Sequence, residues 1–274
     1  MTTVTAQREG GCAIAVMAKA PLPGAVKTRL VPPLRPDEAA ALGASFLRDV
    51  TENVALAARD SAIYGYVAYA PSGSGRLFDG MLASRTRLVL ADGAGISAPR
   101  VHGFGRCLLH AAEALFARGH DAVCLLNSDS PTLPTRLIAR AATALTATDD
   151  RVVLGPADDG GYYIVGMKAP HVHLFEDIAW STATVAAQTR QRAHALNLPV
   201  TELDPWYDVD DGPALRRLFR ELESSGDGGG LSPYPAPATA ACIERLMLRG
   251  LLAACSPRTP GTTRRLHCNA SSTR

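Results

Sequence analysis

The cations and carboxylates best suited to chemistry gather in four short stretches of this chain. Residues 19–30 read KAPLPGAVKTRL. Lys19, Lys27 and Arg29 are fixed positive charges on a loop whose prolines limit its freedom and whose Gly24 permits close backbone approach. A diphosphate asks for that combination, cations and bare amides on a loop already ordered. Lys27 and Arg29 are the expected principal contacts, with Lys19 third. A solvated loop with ordinary charges is the competing reading, because the residue order is neither a P-loop nor GxGxxG.

Residues 127–134 read NSDSPTLP and follow an apolar run. A single carboxylate at the mouth of a buried strand suits a hard cation, so Asp129 is the expected ligand of Mg²⁺ or Mn²⁺, with Ser128 beside it toward the nucleotide. Alternatively Asp129 caps a helix. In residues 155–163, GPADDGGYY, Asp158 or Asp159 is a candidate base or second metal ligand. Gly160 and Gly161 would let a substrate lie against the backbone. Asp-Gly is equally an ordinary hairpin signal. Residues 206–211, WYDVDD, place Asp208 and Asp210 on one side of an extended chain. Paired carboxylates repel unless a cation or donor lies between them, which makes Asp208 a candidate base and Asp210 a metal ligand. Asp211 reads as a helix cap. Trp180 and Ser181 precede a predicted helix, Ser181 as its cap and Trp180 as a core ring or a ligand-facing one.

These clusters need elements to hold them. Residues 12–18, CAIAVMA, form a short continuous apolar run that predicts a buried strand. Pro36 with Asp37 and Glu38 predicts a helix start, and Leu42, Phe46, Val50 and Val54 give it a buried stripe. Further strands are expected at 62–70, 87–90, 121–126, 151–155, 162–167 and 200–203. Helices are expected at 106–118, 135–147, 181–196 and 213–224. Alternation of this kind implies a mostly parallel sheet covered on both faces, with ligands beyond the carboxyl ends of its strands. Residues 1–11 are expected to be a disordered tail, 12–224 the α/β domain, 225–238 a linker, and 239–274 a short helix (to about 254) followed by a disordered tail.

Composition narrows the classes. Of 274 residues 47% are hydrophobic and 20% charged, enough for a sizeable core and too apolar for wholesale disorder. A net charge of +2 argues against a broad nucleic-acid-binding face. The six cysteines form no CxxC pair and read as reduced thiols. The histidines show no HExxH arrangement, and no GxSxG occurs, so zinc-protease and serine-hydrolase chemistry are disfavoured. A polar start without an apolar segment predicts no secretory leader, no stretch is long enough to span a bilayer, and a cytoplasmic location is expected.

Taken in order, KAPxPGxVKTRL, SDSPTLP, GPAxDGGYY, WST and DVD resemble the GT-A-like nucleotide-diphospho-sugar transferases, including bacterial proteins described as arsenosugar-biosynthesis glycosyltransferase-like. The resemblance covers roughly residues 12–222 and extends distantly to the guanylyltransferases of phospholactate and molybdenum-cofactor synthesis. It implies a GT-A fold with a Rossmann-like nucleotide half. It places Lys19, Gly24, Lys27 and Arg29 on the family's basic loop and Asp129 at its metal motif. Asp158, Asp159, Gly160 and Gly161 match the acidic turn, and Asp208 and Asp210 the last acidic motif. Where many relatives carry a Leu-Gly-Glu-Arg-Met-like stretch, this chain has Phe104-Gly105-Arg106-Cys107-Leu108, which leaves the sugar, base and acceptor open. The expected activity is metal-dependent glycosyl transfer from a nucleotide sugar to a small-molecule or lipid acceptor. Nucleotidyl transfer from an NTP with release of pyrophosphate, and nucleotide binding without catalysis, are the alternatives.

Overall fold

The computed structural model describes residues 9–224 and 231–248. The expectations for residues 1–8, 225–230 and 249–274 lie outside this range.

The apolar run at the start forms β1 (Cys12–Lys19). After the proline loop comes α1 (Pro36–Ala57), entered through Pro36, with the Glu38 carboxylate reaching back to accept from Arg35 N at 2.9 Å. Then follow β2 (Ile63–Ala70), β3 (Arg87–Leu90), α2 (Phe104–Phe116) and β4 (Ala122–Asn127). Beyond them lie α3 (Thr135–Ala144), β5 (Val152–Pro156), β6 (Tyr162–Met167), α4 (Val185–Ala195), β7 (Val200–Glu202) and α5 (Gly212–Glu223). A last helix, α6, spans Pro237–Leu248.

The strands form one seven-stranded sheet in the order β3-β2-β1-β4-β6-β5-β7. β6 runs antiparallel to both neighbours, and every other pairing is parallel. The chain winds outward from β1 through β2 to β3, then returns to lay β4 on the other side of β1. That reversal opens a crevice between the carboxyl ends of β1 and β4, where Met17 pairs with Asn127. The expected mostly parallel α/β sheet is therefore present.

Alternation along β1 divides the interior. Ala13 and Ala15 face a cluster closed by Leu108 and Leu109 of α2 and Ala193 of α4. Cys12, Ile14 and Val16 face Leu47 and Val50 of α1 and Leu137 and Ile138 of α3. A third cluster lies beyond the sheet. Leu30 and Leu34 of the proline loop, Leu42 and Phe46 of α1, Tyr207, Val209, Leu215 of α5, and Ile243 and Leu246 of α6 meet there. Helix α6 is thus part of the packed body. The buried Asp49 carboxylate on α1 accepts from Ala238 N at 3.0 Å and Thr239 N at 2.6 Å, satisfying two amides of its first turn.

Two local expectations change. Helix α4 starts at Val185, later than the spacing implied, with Thr184 at its cap position. Ser181 does not cap it. Its φ is 63°, in a turn closed by Thr182 Oγ1 donating to Ala179 O at 2.7 Å. Trp180 belongs to the packing: its ring lies against Gly105, where an added Cβ would come within 2.9 Å of it. Cys12, Cys107, Cys124 and Cys242 are free thiols. Among the described residues no helix is long and apolar enough to cross a membrane.

Candidate active site

A cavity of about 460 Å³ lies at the crevice between β1 and β4, within the range of small-molecule sites. Lys19, at the end of β1, lines it together with Lys27 and Arg29 from the following loop. Ser128 and Asp129, just past β4, line it from the other side, and Asp208 and Asp210 close it from the segment before α5. These residues are far apart in the chain and meet because the reversal of strand order places β1 beside β4.

The acidic segment is firmly mounted. Val209 N donates to Asp129 O at 2.8 Å, and Ser130 Oγ donates to Tyr207 O at 2.9 Å, so residues 207–209 are laced to the loop after β4. Tyr207 is buried, its hydroxyl donates to Glu221 of α5, and the Arg217 guanidinium lies 3.8 Å over its ring. Asp211 accepts from Ala214 N at 2.9 Å and caps α5, as its position suggested.

At the centre stands Lys27. Its side chain is only 5% exposed, and its ammonium lies 2.7 Å from Asp129 Oδ1 and 3.0 Å from Asp210 Oδ1. It also donates to Val209 O at 2.8 Å. Burial alone would pull this amine down; the charges of Asp129 and Asp210 overcome burial and hold it above its ordinary value. Asp129 does not cap a helix, since Pro134 occupies the cap position of α3. Asp208 makes no ion pair among the described residues. Burial, then the neighbouring charges of Asp210, Asp159 and Asp129, push its carboxyl up to about 6.

The acidic turn sits differently. Asp158 pairs with Arg217 at 2.6 Å and does not line the cavity. Asp159 Oδ1 accepts from Gly161 N at 2.8 Å, an Asx turn within the β5–β6 connection, though its charge is felt at Asp208. Gly160 and Gly161 do not line the cavity either. Gly160 has φ 88°, and an added Cβ would stand 2.1 Å from Ala183 O, so its missing side chain admits the protein's own backbone rather than a substrate. Gly24 has φ 77° and open space around it, which makes it a turn residue of the basic loop.

Other lining residues were not signalled by charge. Phe104, Cys107 and Leu108 of α2 and Ala68, Ala70 and Ala91 form an apolar side of the cavity, and Phe104 is 47% exposed. For Phe104, Cys107 and Leu108 the one sequence signal is the position of that stretch in the family pattern.

Divalent-metal chemistry can be tested against the donor set. Among the described residues no three carboxylate, imidazole or thiolate groups converge as a ready-made metal cage. Two carboxylates do converge on one cationic point, the Lys27 ammonium. Such a pair, completed by water and phosphate oxygens, is what Mg²⁺ or Mn²⁺ accepts. The residues fit the ion.

Known proteins bear on this arrangement. A family model described as an uncharacterized protein conserved in bacteria (DUF2064) matches residues 53–182. No curated protein matches the chain. A solved structure from Desulfovibrio desulfuricans G20, of a protein proposed to be a nucleotide-diphospho-sugar transferase, is 26% identical, with a TM-score of 0.70. The match covers 90% of this chain and 98% of that one. The chain has the GT-A-like fold of a nucleotide-diphospho-sugar transferase. Lower similarity is found to a cytidylyltransferase from Leptospira borgpetersenii, 11% identical over 89% of this chain and 95% of that one, TM-score 0.48. It is also found to the manganese complex of Rv0371c from Mycobacterium tuberculosis H37Rv, 20% identical over 77% and 98%, TM-score 0.43. The assignment of the fold rests on the first of the three solved structures.

Proposed function

We propose that this protein is a transferase that takes a nucleotide-activated donor, a nucleotide-diphospho-sugar, and passes its glycosyl group to a small or lipid hydroxyl acceptor. The observation that carries the reading is the meeting of the basic loop, Asp129, Asp208 and Asp210 around one cavity at the switch in strand order. The solved structure of the proposed sugar transferase supports it over nearly the whole fold.

In this reading Arg29 and Lys19 hold the diphosphate, because neither makes an ion pair among the described residues and both line the cavity. Asp129 and Asp210 would hold Mg²⁺ or Mn²⁺, which when bound offsets the charge developing on the leaving nucleoside diphosphate. Asp208 is the base for the acceptor hydroxyl. Asp158 is engaged by Arg217 and Asp210 by Lys27, whereas Asp208 has no cationic partner among the described residues and reaches the cavity. The apolar wall of Phe104, Cys107 and Leu108 offers a surface for a base or sugar face.

Nucleotidyl transfer uses the same parts, and one experiment separates the two. Wild type and Asp129→Asn are melted with a panel of nucleotide sugars and nucleoside triphosphates, with and without Mn²⁺. A ligand that binds the native state raises the midpoint. The expected result is a metal-dependent rise with a nucleotide sugar that Asp129→Asn loses. A rise only with a triphosphate would replace glycosyl by nucleotidyl transfer. No rise with any ligand would remove the nucleotide reading.

A further inference from the structure

Lys27 is expected from its loop to be a phosphate ligand, yet in the folded chain its ammonium is turned inward onto the protein's own oxygens. An ammonium carries three N–H groups. That of Lys27 donates to Val209 O at 2.8 Å and Asp210 Oδ1 at 3.0 Å and forms an ion pair with Asp129 Oδ1 at 2.7 Å. The Phe46 ring lies 5.1 Å away, and the side chain is 5% exposed. The backbone is committed to this pose as well. Lys27 has φ 51° and ψ 35°, a left-handed conformation that a residue with a Cβ adopts only at a cost. The inward contacts hold it there.

The point where the ammonium sits is also the point on which Asp129 and Asp210 converge. A divalent cation held by these carboxylates would need the same space, and a +1 and a +2 charge repel strongly at such distances. We propose that Lys27 is a tethered counter-ion that fills the cation position of the ligand-free protein, so that divalent metal enters only when Lys27 swings out. An anionic diphosphate arriving with the metal provides the displaced ammonium with its next partner. This assigns Lys27 a part in the order of loading: the free protein excludes metal, and nucleotide and metal bind together. The inference rests on the reading of the site as one for nucleotide and metal.

The test is Mn²⁺ binding to the full chain in the absence of nucleotide, followed by the electron paramagnetic resonance signal of the free ion. Lys27→Met keeps an unbranched aliphatic stem and removes the charge, and Lys27→Gln serves as a second variant. The expected result is Mn²⁺ binding at least about tenfold tighter in the variants than in wild type, equivalent to about 1.4 kcal/mol. Adding Asp129→Asn to either variant should abolish the gain. The Mn²⁺-induced rise in melting temperature should likewise be larger in the variants than in wild type, a readout that holds even if loss of the ammonium lowers their stability. Variants that bind Mn²⁺ no more tightly than wild type overturn the proposal, as does a gain that survives Asp129→Asn. The nucleotide-and-metal reading is judged separately, by the wild-type melting panel. A panel with no metal-dependent rise sinks that reading, whereas a panel that succeeds beside unchanged Lys27 variants sinks only the counter-ion role.

Discussion

Charge partners distinguish the residues of this site more sharply than charge itself. Lys27 and Arg29 are two positions apart on one loop, yet Lys27 is sealed among carboxylates while Arg29 is exposed and makes no ion pair among the described residues. Arg29→Ala should therefore leave stability within about 0.5 kcal/mol of wild type, as surface changes do. It should still weaken a diphosphate ligand by tenfold or more, the equivalent of losing one charge-assisted hydrogen bond of about 1.5–3 kcal/mol. Parallel melts and calorimetric titrations with inorganic pyrophosphate check both halves; a stability loss equal to the affinity loss would mean that Arg29 serves the fold. The types of these residues were legible in the sequence. Their pairing was not, because Lys27 and Asp210 lie 183 positions apart and only the winding of the sheet brings them together.

At the scale of elements, the two acidic motifs separate into a site segment and a structural turn. Residues 207–209 are laced to the loop after β4, and Asp208 and Asp210 reach the cavity, whereas the 158–161 turn lies outside it, bonded to Trp206, Arg217 and Ala186. Gly160 shows why. At φ 88° with Ala183 O against its Cα, it fastens the β5–β6 connection to the segment preceding α4. Gly160→Ala should cost about 2–4 kcal/mol from left-handed strain and overpacking together, read as a fall of several degrees in the melting midpoint. An unchanged midpoint would contradict that packing. Sequence patterns located most elements, since continuous apolar runs mark buried parallel strands and Pro36 with Glu38 marks a helix start. They did not show that Gly160 admits neighbouring backbone rather than substrate, because both uses demand the same missing Cβ. The start of α4 was misplaced for a related reason: Ser181 suits a cap by type, but the turn at 179–182 consumes it first.

For the whole molecule, the third hydrophobic cluster couples parts that seem unrelated along the chain. Leu30 and Leu34 anchor the basic loop in it, Tyr207 and Val209 anchor the acidic segment, and Ile243 and Leu246 bring in α6. Phe46 belongs to the same cluster and carries the Lys27 ammonium over its ring. No residue of α6 lines the cavity, yet the helix closes the apolar body on which both charged loops rest. A carboxylate placed in that body is strongly unfavourable, so Ile243→Asp with Leu246→Asp should undock α6 within the full chain rather than bury two unpaired charges. Local release of this kind is visible in amide hydrogen exchange. Exchange should rise in α6 and also in residues 27–34 and 206–210, and the affinity for the nucleotide that stabilises wild type should fall by several-fold or more although every cavity residue is intact. If only α6 loses protection and affinity is unchanged, the helix is an appendage, and the two charged loops hold their geometry without it, through the Lys27 contacts and the rest of the cluster.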